Sequence, residues 1–267
     1  MPSPRVNSWF RVAGVLMIMT GLSGPLAELS GQSTPSSPAS QRVPVLIELF
    51  TSEGCSDCPP ADSLLGQLDT KQPIRGAQAI VLSEHVTYWN HDGWSDPYSL
   101  QAMTDRQEDY ARRFGLESSY TPQMVVDGET QFVGSNVKAL TTSIESAART
   151  PKQPITIEDA KWDHGAATFA IHAEAPAGAK LFAVLAADAT HQEVSGGENA
   201  GRTLHHVAVV RVMKELSSED ASGRPIKLAG ADLNSKKESD GPVRLVVFLA
   251  DRRTGHVLGA AEQTLPR

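Results

Sequence analysis

The chain has only two cysteines in 267 residues, and they lie three apart as Cys55-Ser-Asp-Cys58. No disulfide can tie distant segments together, so every core must hold by packing alone. The flanks narrow the fold further. The apolar run Val43-Pro-Val-Leu-Ile-Glu-Leu-Phe50 precedes the pair, and Pro59-Pro60 with a leucine-rich helical pattern follows it. The pair therefore sits at a strand-to-helix junction, with one sulfur at a helix N-terminus, where unpaired N–H groups and the dipole stabilise a thiolate. It is a position suited to thiol-disulfide exchange.

Arg5 and Arg11 precede the uncharged stretch Val12 to Leu22, which is followed by small residues; residues 1–31 read as a secretory signal peptide. That stretch is well short of the roughly 20 residues of a spanning helix, so no membrane span is expected after cleavage. Residues 32–42, rich in Ser and Pro, read as a flexible linker. The expected location is secreted or periplasmic. What remains is about 235 residues, enough for two ordinary domains, over 43–150 and 151–267. The net charge of −7 becomes −8 once Arg5, Arg11 and Glu28 are lost. An acidic chain without a Lys/Arg cluster excludes nucleic acid as a partner class. Oligomeric state leaves no mark in the sequence.

From Val43 to about Thr150 the signals alternate. Val45 to Phe50 reads as a buried strand, Ala61, Leu64, Leu65 and Leu68 as a helix face, and Ala79 to Ser83 as a second buried strand. The loop Thr87 to Pro97 carries Trp89 and Trp94, and Leu100 to Phe114 is an amphipathic helix ended by Gly115. Tyr120 to Gly128 is a strand closing in an Asp-Gly turn, Gln131 to Gly134 its hairpin partner, and Val137 to Ala148 a helix. After Pro151 and Pro154 the period changes to two: Thr168–Glu174, Leu181–Ala187, His206–Met213 and Arg244–Ala250 read as strands of an antiparallel sandwich. Ser195 to Arg202 is glycine-rich but lacks a phosphate-loop ending; it reads as a long loop in which Glu198, Asn199 and Arg202 form a surface salt-bridge network.

The order strand, helix, strand, helix, hairpin, helix, with Cys-x-x-Cys after the first strand and Thr121-Pro122 opening the third, resembles the thioredoxin fold. More closely, the chain resembles a family of exported bacterial thioredoxin-like proteins known only as a domain of unknown function. The residues that carry this are Glu48-Leu-Phe-Thr-Ser-Glu-Gly-Cys-Ser-Asp-Cys-Pro-Pro-Ala-Asp62, His85-Val-Thr-Tyr-Trp-Asn90, Gly93-Trp-Ser-Asp-Pro97, Tyr120-Thr-Pro-Gln-Met-Val-Val126 and Gly197-Glu-Asn-Ala-Gly-Arg-Thr-Leu204. The resemblance implies an N-terminal thioredoxin-like α/β domain ahead of the mainly antiparallel β-sandwich. It also implies a cis Pro122 facing the cysteines, with Thr121 beside it.

In dithiol chemistry the N-terminal sulfur attacks and the second resolves, which makes Cys55 the nucleophile and Cys58 the resolving thiol. Glu53, Asp57 and Asp62 crowd the pair with negative charge, which opposes thiolate formation and points to a reductant or slow exchanger. Trp89, Trp94, Thr121 and Pro122 are the candidate substrate surface, although aromatic residues in a long loop also pin that loop to its domain. The expected partner is an extracytoplasmic thiol or disulfide protein, or a small thiol, and no cofactor is expected beyond the disulfide itself. Two other readings stand beside this one. The pair is a fixed disulfide pinning a turn in a non-catalytic binding protein, or Cys55, Cys58 and His85, with Met124 close by, bind copper as a soft-metal site. No Gly-x-Ser-x-Gly, His-Glu-x-x-His or dinucleotide fingerprint occurs in the sequence.

Overall fold

The apolar run ahead of the cysteines forms β1 (Val43–Thr51), buried from Val45 onward. Such a strand needs partners on both edges and cover on both faces. β2 (Ala77–His85) pairs with it in parallel and β3 (Gln123–Val126) antiparallel. The computed structural model describes residues 42–230, 233 and 241–267; the expected signal peptide and the linker up to residue 41 lie outside the described residues.

α1 (Pro59–Lys71) carries the chain from β1 to β2, with prolines in its first positions, where no helical N–H bond is lost. α2 (Gln101–Phe114) ends at Gly115, whose φ of 66° allows its N–H to reach the Ala111 and Arg112 carbonyls. β3 turns through Asp127-Gly128 into β4 (Thr130–Val133), and α3 (Val137–Ala147) starts at Asn136, whose side chain accepts from the Ala139 N–H. Among the described residues seven strands follow: β5 (Ile155–Asp163), β6 (Ala166–Ala173), β7 (Ala179–Glu193), β8 (Thr203–Leu216), β9 (Ile226–Ala229), β10 (Val243–Asp251) and β11 (Val257–Leu265).

The expected division of fold, a thioredoxin-like domain followed by a separate antiparallel sandwich, is overturned by the strand order. One mixed eight-stranded sheet runs β11-β10-β7-β8-β2-β1-β3-β4 through both halves of the chain, and only β5-β6-β9 form a second, three-stranded sheet. The joint is the parallel pairing of β2 with β8 at Ser83 and Val209. The reason is the free edge of β2: β8, 14 residues long, pairs with β7 and extends far enough to cover that edge as well. Periodicity shows which residues are strands and cannot show which edges meet.

The layers follow from the burial pattern. α1 and α3 cover one face of β1–β3 through Leu65, Leu68, Leu140 and Ile144, packed on Val45, Ile47, Val81 and Met124. On the opposite face Met103 of α2 joins Leu46 and Leu82 with Val184, Val210, Val246 and Phe248, so one core spans both halves. The three-stranded sheet packs Phe169 and Ile171 against Leu185, Leu245 and Val247. Arg244 on β10 adds a charged tie across the halves, donating to both carboxylate oxygens of Asp69 on α1 at 2.6 and 2.7 Å.

Candidate functional site

The chain leaves β1 at Thr51 and turns into α1 within seven residues, with Cys58 at the helix N-cap. The Cys55 N–H donates to the Ser52 carbonyl and the Cys58 N–H to the Cys55 carbonyl, each at 3.2 Å. The two sulfurs are joined in a disulfide. Gly54 is required in this turn, because a Cβ there would come within 2.8 Å of the Trp89 carbonyl oxygen. Ser56 and Asp57 face solvent, whereas Cys55 is 1% and Cys58 0% exposed.

Around the turn lies a buried charged cluster assembled from both halves of the chain. Glu53 and Asp62 flank His206 of β8, with Glu53 Oε1 3.4 Å from Nε2 and Asp62 Oδ1 3.6 Å from Nδ1. At those separations the contacts are ion pairs, longer than good hydrogen bonds, and both imidazole nitrogens lack a closer partner among the described residues. Burial alone would lower the His206 pKa, but the carboxylates of Asp62 and then Glu53 outweigh it and hold it at about 10, so the imidazolium is retained at neutral pH. The His206 ring packs edge-on against His85, with centroids 4.6 Å apart, and against Tyr98. His85 in turn places Nδ1 2.7 Å from Asp96.

Asp96 knits the region together. It accepts from the Glu53 N–H at 2.9 Å and the Tyr98 N–H at 2.8 Å, and Ser52 Oγ lies at 3.4 Å. Burial raises its pKa, yet His85 and these donors prevail and hold it at about 2. The sign fixes a pH window: a carboxylate depressed on folding contributes stability above its ordinary pKa and loses it as pH falls through the folded value. Wild-type stability should therefore drop between about pH 4 and pH 2. Asp96→Asn should flatten that limb in urea titrations at each pH; an unchanged acid limb would remove Asp96 from this role.

Two loops close over the turn. From 87–97, the Trp89 indole N–H donates to Thr121 Oγ1 at 2.7 Å and the Trp94 indole N–H to Glu53 Oε2 at 3.1 Å. The Thr121–Pro122 peptide is cis. Both tryptophans are thus pinned through their polar edges and half-buried. From the second half, Asn199 is fully buried and donates to the Glu53 and Cys55 carbonyls at 2.8 and 2.9 Å, and Arg202 donates to Asn199 Oδ1 at 2.8 Å. The Glu198 carboxylate accepts from the Ser56 N–H at 3.0 Å. The expected surface network of Glu198, Asn199 and Arg202 is therefore a set of ties onto the cysteine turn itself. A cavity of about 270 Å³ lies where α1 meets the start of β8, lined by Pro59, Asp62, Ser63, Arg202, Thr203 and Leu204 among others.

Trp94 bonds to Glu53 of the cysteine turn and Trp89 lies against Gly54, while Thr121 reaches the turn only through its bond to Trp89. His85 instead turns to Asp96 and His206, and Met124 is enclosed in the core between the sheet and α1 and α3. Among the described residues no group of three or more His, Cys, Asp or Glu side chains is placed to hold a metal ion. Sequence reasoning gave His206 and Asp96 no role and placed Asn199 only in a surface network. The last two lie in segments that carried the family resemblance, Gly93–Pro97 and Gly197–Leu204, which was the available signal; His206 lay in an ordinary strand pattern and had none.

These features define a mixed-sheet α/β protein with a buried disulfide at the first strand-to-helix turn. The chain belongs to the family described as "Protein of unknown function (DUF1223)", whose profile matches residues 46–249. It is also similar in fold to the crystal structure of protein AGR_C_4864 from Agrobacterium tumefaciens, at 24% identity and a TM-score of 0.61, covering 85% of this chain and 96% of that one. No curated protein matches the chain. No helix among the described residues is long and apolar enough to cross a membrane.

Proposed function

We propose that the protein exchanges thiols and disulfides through Cys55 and Cys58 with an extracytoplasmic protein or small thiol. The observation that carries this reading is the disulfide at the N-terminus of α1, surrounded by built polar contacts instead of simple apolar packing. In the reductive direction for the protein, a substrate thiolate attacks Cys55 Sγ, the S–S bond breaks, and Cys58 leaves as a thiolate that takes up a proton. A second substrate thiolate then attacks the substrate sulfur of the mixed disulfide and releases Cys55, so that two thiols become one disulfide and the protein gains two electrons and two protons. The reverse sequence reduces a partner's disulfide.

The acidic surroundings favour that reverse direction. Glu53 and Asp62 share a single imidazolium, which leaves the cluster net negative, and negative charge near sulfur disfavours the thiolate and stabilises the disulfide. The reading is checked by equilibrating the pair in glutathione and dithiothreitol buffers while recording exchange rates. A low potential and exchange that Cys55→Ser reduces to background are expected. A disulfide that resists reduction and exchanges only at the background rate would instead mark it as a structural pin of the turn.

A further inference from the structure

We propose that the segment Val194–Arg202 is a strap that gates the disulfide, and that Asn199 is the positioning residue that holds it shut. The proposal extends the exchange reading above by saying how a partner reaches the sulfur. Exchange requires a thiolate to approach Cys55 Sγ, and a sulfur that is 1% exposed admits none.

What covers the turn is tied to it by few bonds, and all of them are polar. Asn199 holds the Glu53 and Cys55 carbonyls, Glu198 holds the Ser56 N–H, and the Gly197 N–H donates to the Asp92 carbonyl at 3.1 Å. The last bond joins the strap to the tryptophan loop, so that the two covers lock across the cysteines. Gly196 makes that approach possible, since a Cβ there would fall on the Gly93 carbonyl oxygen.

The strap is also built to move as a unit. Its ends are closed on each other, with the Val194 N–H donating to the Arg202 carbonyl at 2.9 Å and the Gly201 N–H to the Val194 carbonyl at 2.8 Å. Just below, Glu193 pairs with Thr203 in the β7–β8 ladder. Swinging the strap away breaks these four hydrogen bonds and leaves the ladder intact. Arg202 orients the amide of Asn199 so that its NH₂ group faces the carbonyls. Because Arg202 and Thr203 also wall the 270 Å³ cavity beside Pro59 and Asp62, opening joins that space to the exposed turn.

The test is the rate at which tris(2-carboxyethyl)phosphine reduces the native disulfide of the full chain, followed by quenched alkylation. The phosphorus attacks one sulfur, the S–S bond breaks, and water supplies the oxygen of the phosphine oxide and the two thiol protons. If the strap gates access, the wild-type rate saturates with phosphine concentration at the opening rate. Asn199→Ala raises the low-concentration rate about thirtyfold, corresponding to about 2 kcal/mol for two hydrogen bonds lost from the closed state. Glu198→Gln, an exposed and foldable change, raises it severalfold, and Gly196→Ala, which pushes the strap off the tryptophan loop, does so as well. A wild-type rate linear in phosphine, with folded Glu198→Gln and Gly196→Ala variants within twofold of wild type, overturns the proposal even if Asn199→Ala fails to fold. Variants that open to the phosphine yet exchange no faster with dithiothreitol would support the strap while removing the exchange function.

Discussion

Replacing His206 with leucine is expected to lower the stability of the protein by about 3–5 kcal/mol at neutral pH, the usual cost of removing one partner from a buried ion pair. Leucine fills a similar space, so the loss comes from electrostatics. Glu53 and Asp62 stay in a site from which water is excluded, and among the described residues neither keeps a cation within ion-pair distance. His85 and Tyr98 also pack against the imidazole, and His85 is already engaged by Asp96.

The pH dependence separates this account from a packing defect. His206 titrates higher in the folded protein, at about 10, than the ordinary histidine value near 6.5. Its contribution is therefore fully present below about pH 6.5 and lost as pH rises toward 10, because the folded state holds the proton more tightly. Urea midpoints measured from pH 6 to pH 10 should fall for the wild type and stay level for His206→Leu. A leucine variant that keeps the wild-type slope would place the titrating group elsewhere.

Arg106→Met should cost a similar amount, about 3–5 kcal/mol, for the same physical reason at a different place. Arg106 donates from Nε to Glu48 Oε1 at 2.5 Å and lies 3.7 Å from Glu84, and both carboxylate side chains are wholly buried. Tyr110 adds its hydroxyl to Glu48 at 2.6 Å. Burial pushes Glu48 up, but Arg106 outweighs it and the carboxyl ends below its ordinary pKa; Glu84, with burial and the Glu48 charge acting together, rises well above it. The guanidinium also lies against the rings of Tyr110, Phe182 and Phe248, at 5.1, 5.6 and 5.3 Å, so that α2 is held against β7 and β10. Methionine keeps much of that packing. The deficit should therefore narrow at acid pH, where the stranded Glu48 can take up a proton, and Glu48→Gln in the same chain should restore part of the loss. If the double variant is no more stable than Arg106→Met alone, the charge account fails and the stacked rings carry the effect.

Local structure was legible wherever a strong pattern coincided with a clear stop. The helix expected over Leu100–Phe114 is α2, because its apolar spacing ends at a glycine able to adopt positive φ. The hairpin expected at Asp127-Gly128 joins β3 to β4 for a like reason. β5 and β11 escaped notice because their residues are only partly buried or small: Ile155–Asp163 is exposed or half-exposed throughout, and Val257–Leu265 carries Gly259, Ala260 and Ala261 at its centre. β9 is only four residues long.

The cysteine turn shows most directly what each level decides. Chain-local chemistry placed Cys55 and Cys58 between a buried strand and a helix opened by prolines, and no more distant residue was needed to say so. Local patterns also placed the strands of the second half without saying what they would join. The tertiary structure decided that β8 would lie on β2, and with that single pairing His206 came between Glu53 and Asp62, and Asn199 onto the carbonyls of Glu53 and Cys55. Periodicity records which face of an element is apolar, whereas strand order depends on which free edges can satisfy one another across more than a hundred residues. For that reason the sulfur pair could be read from the sequence, and the buried charges and the strap around it only from the folded chain.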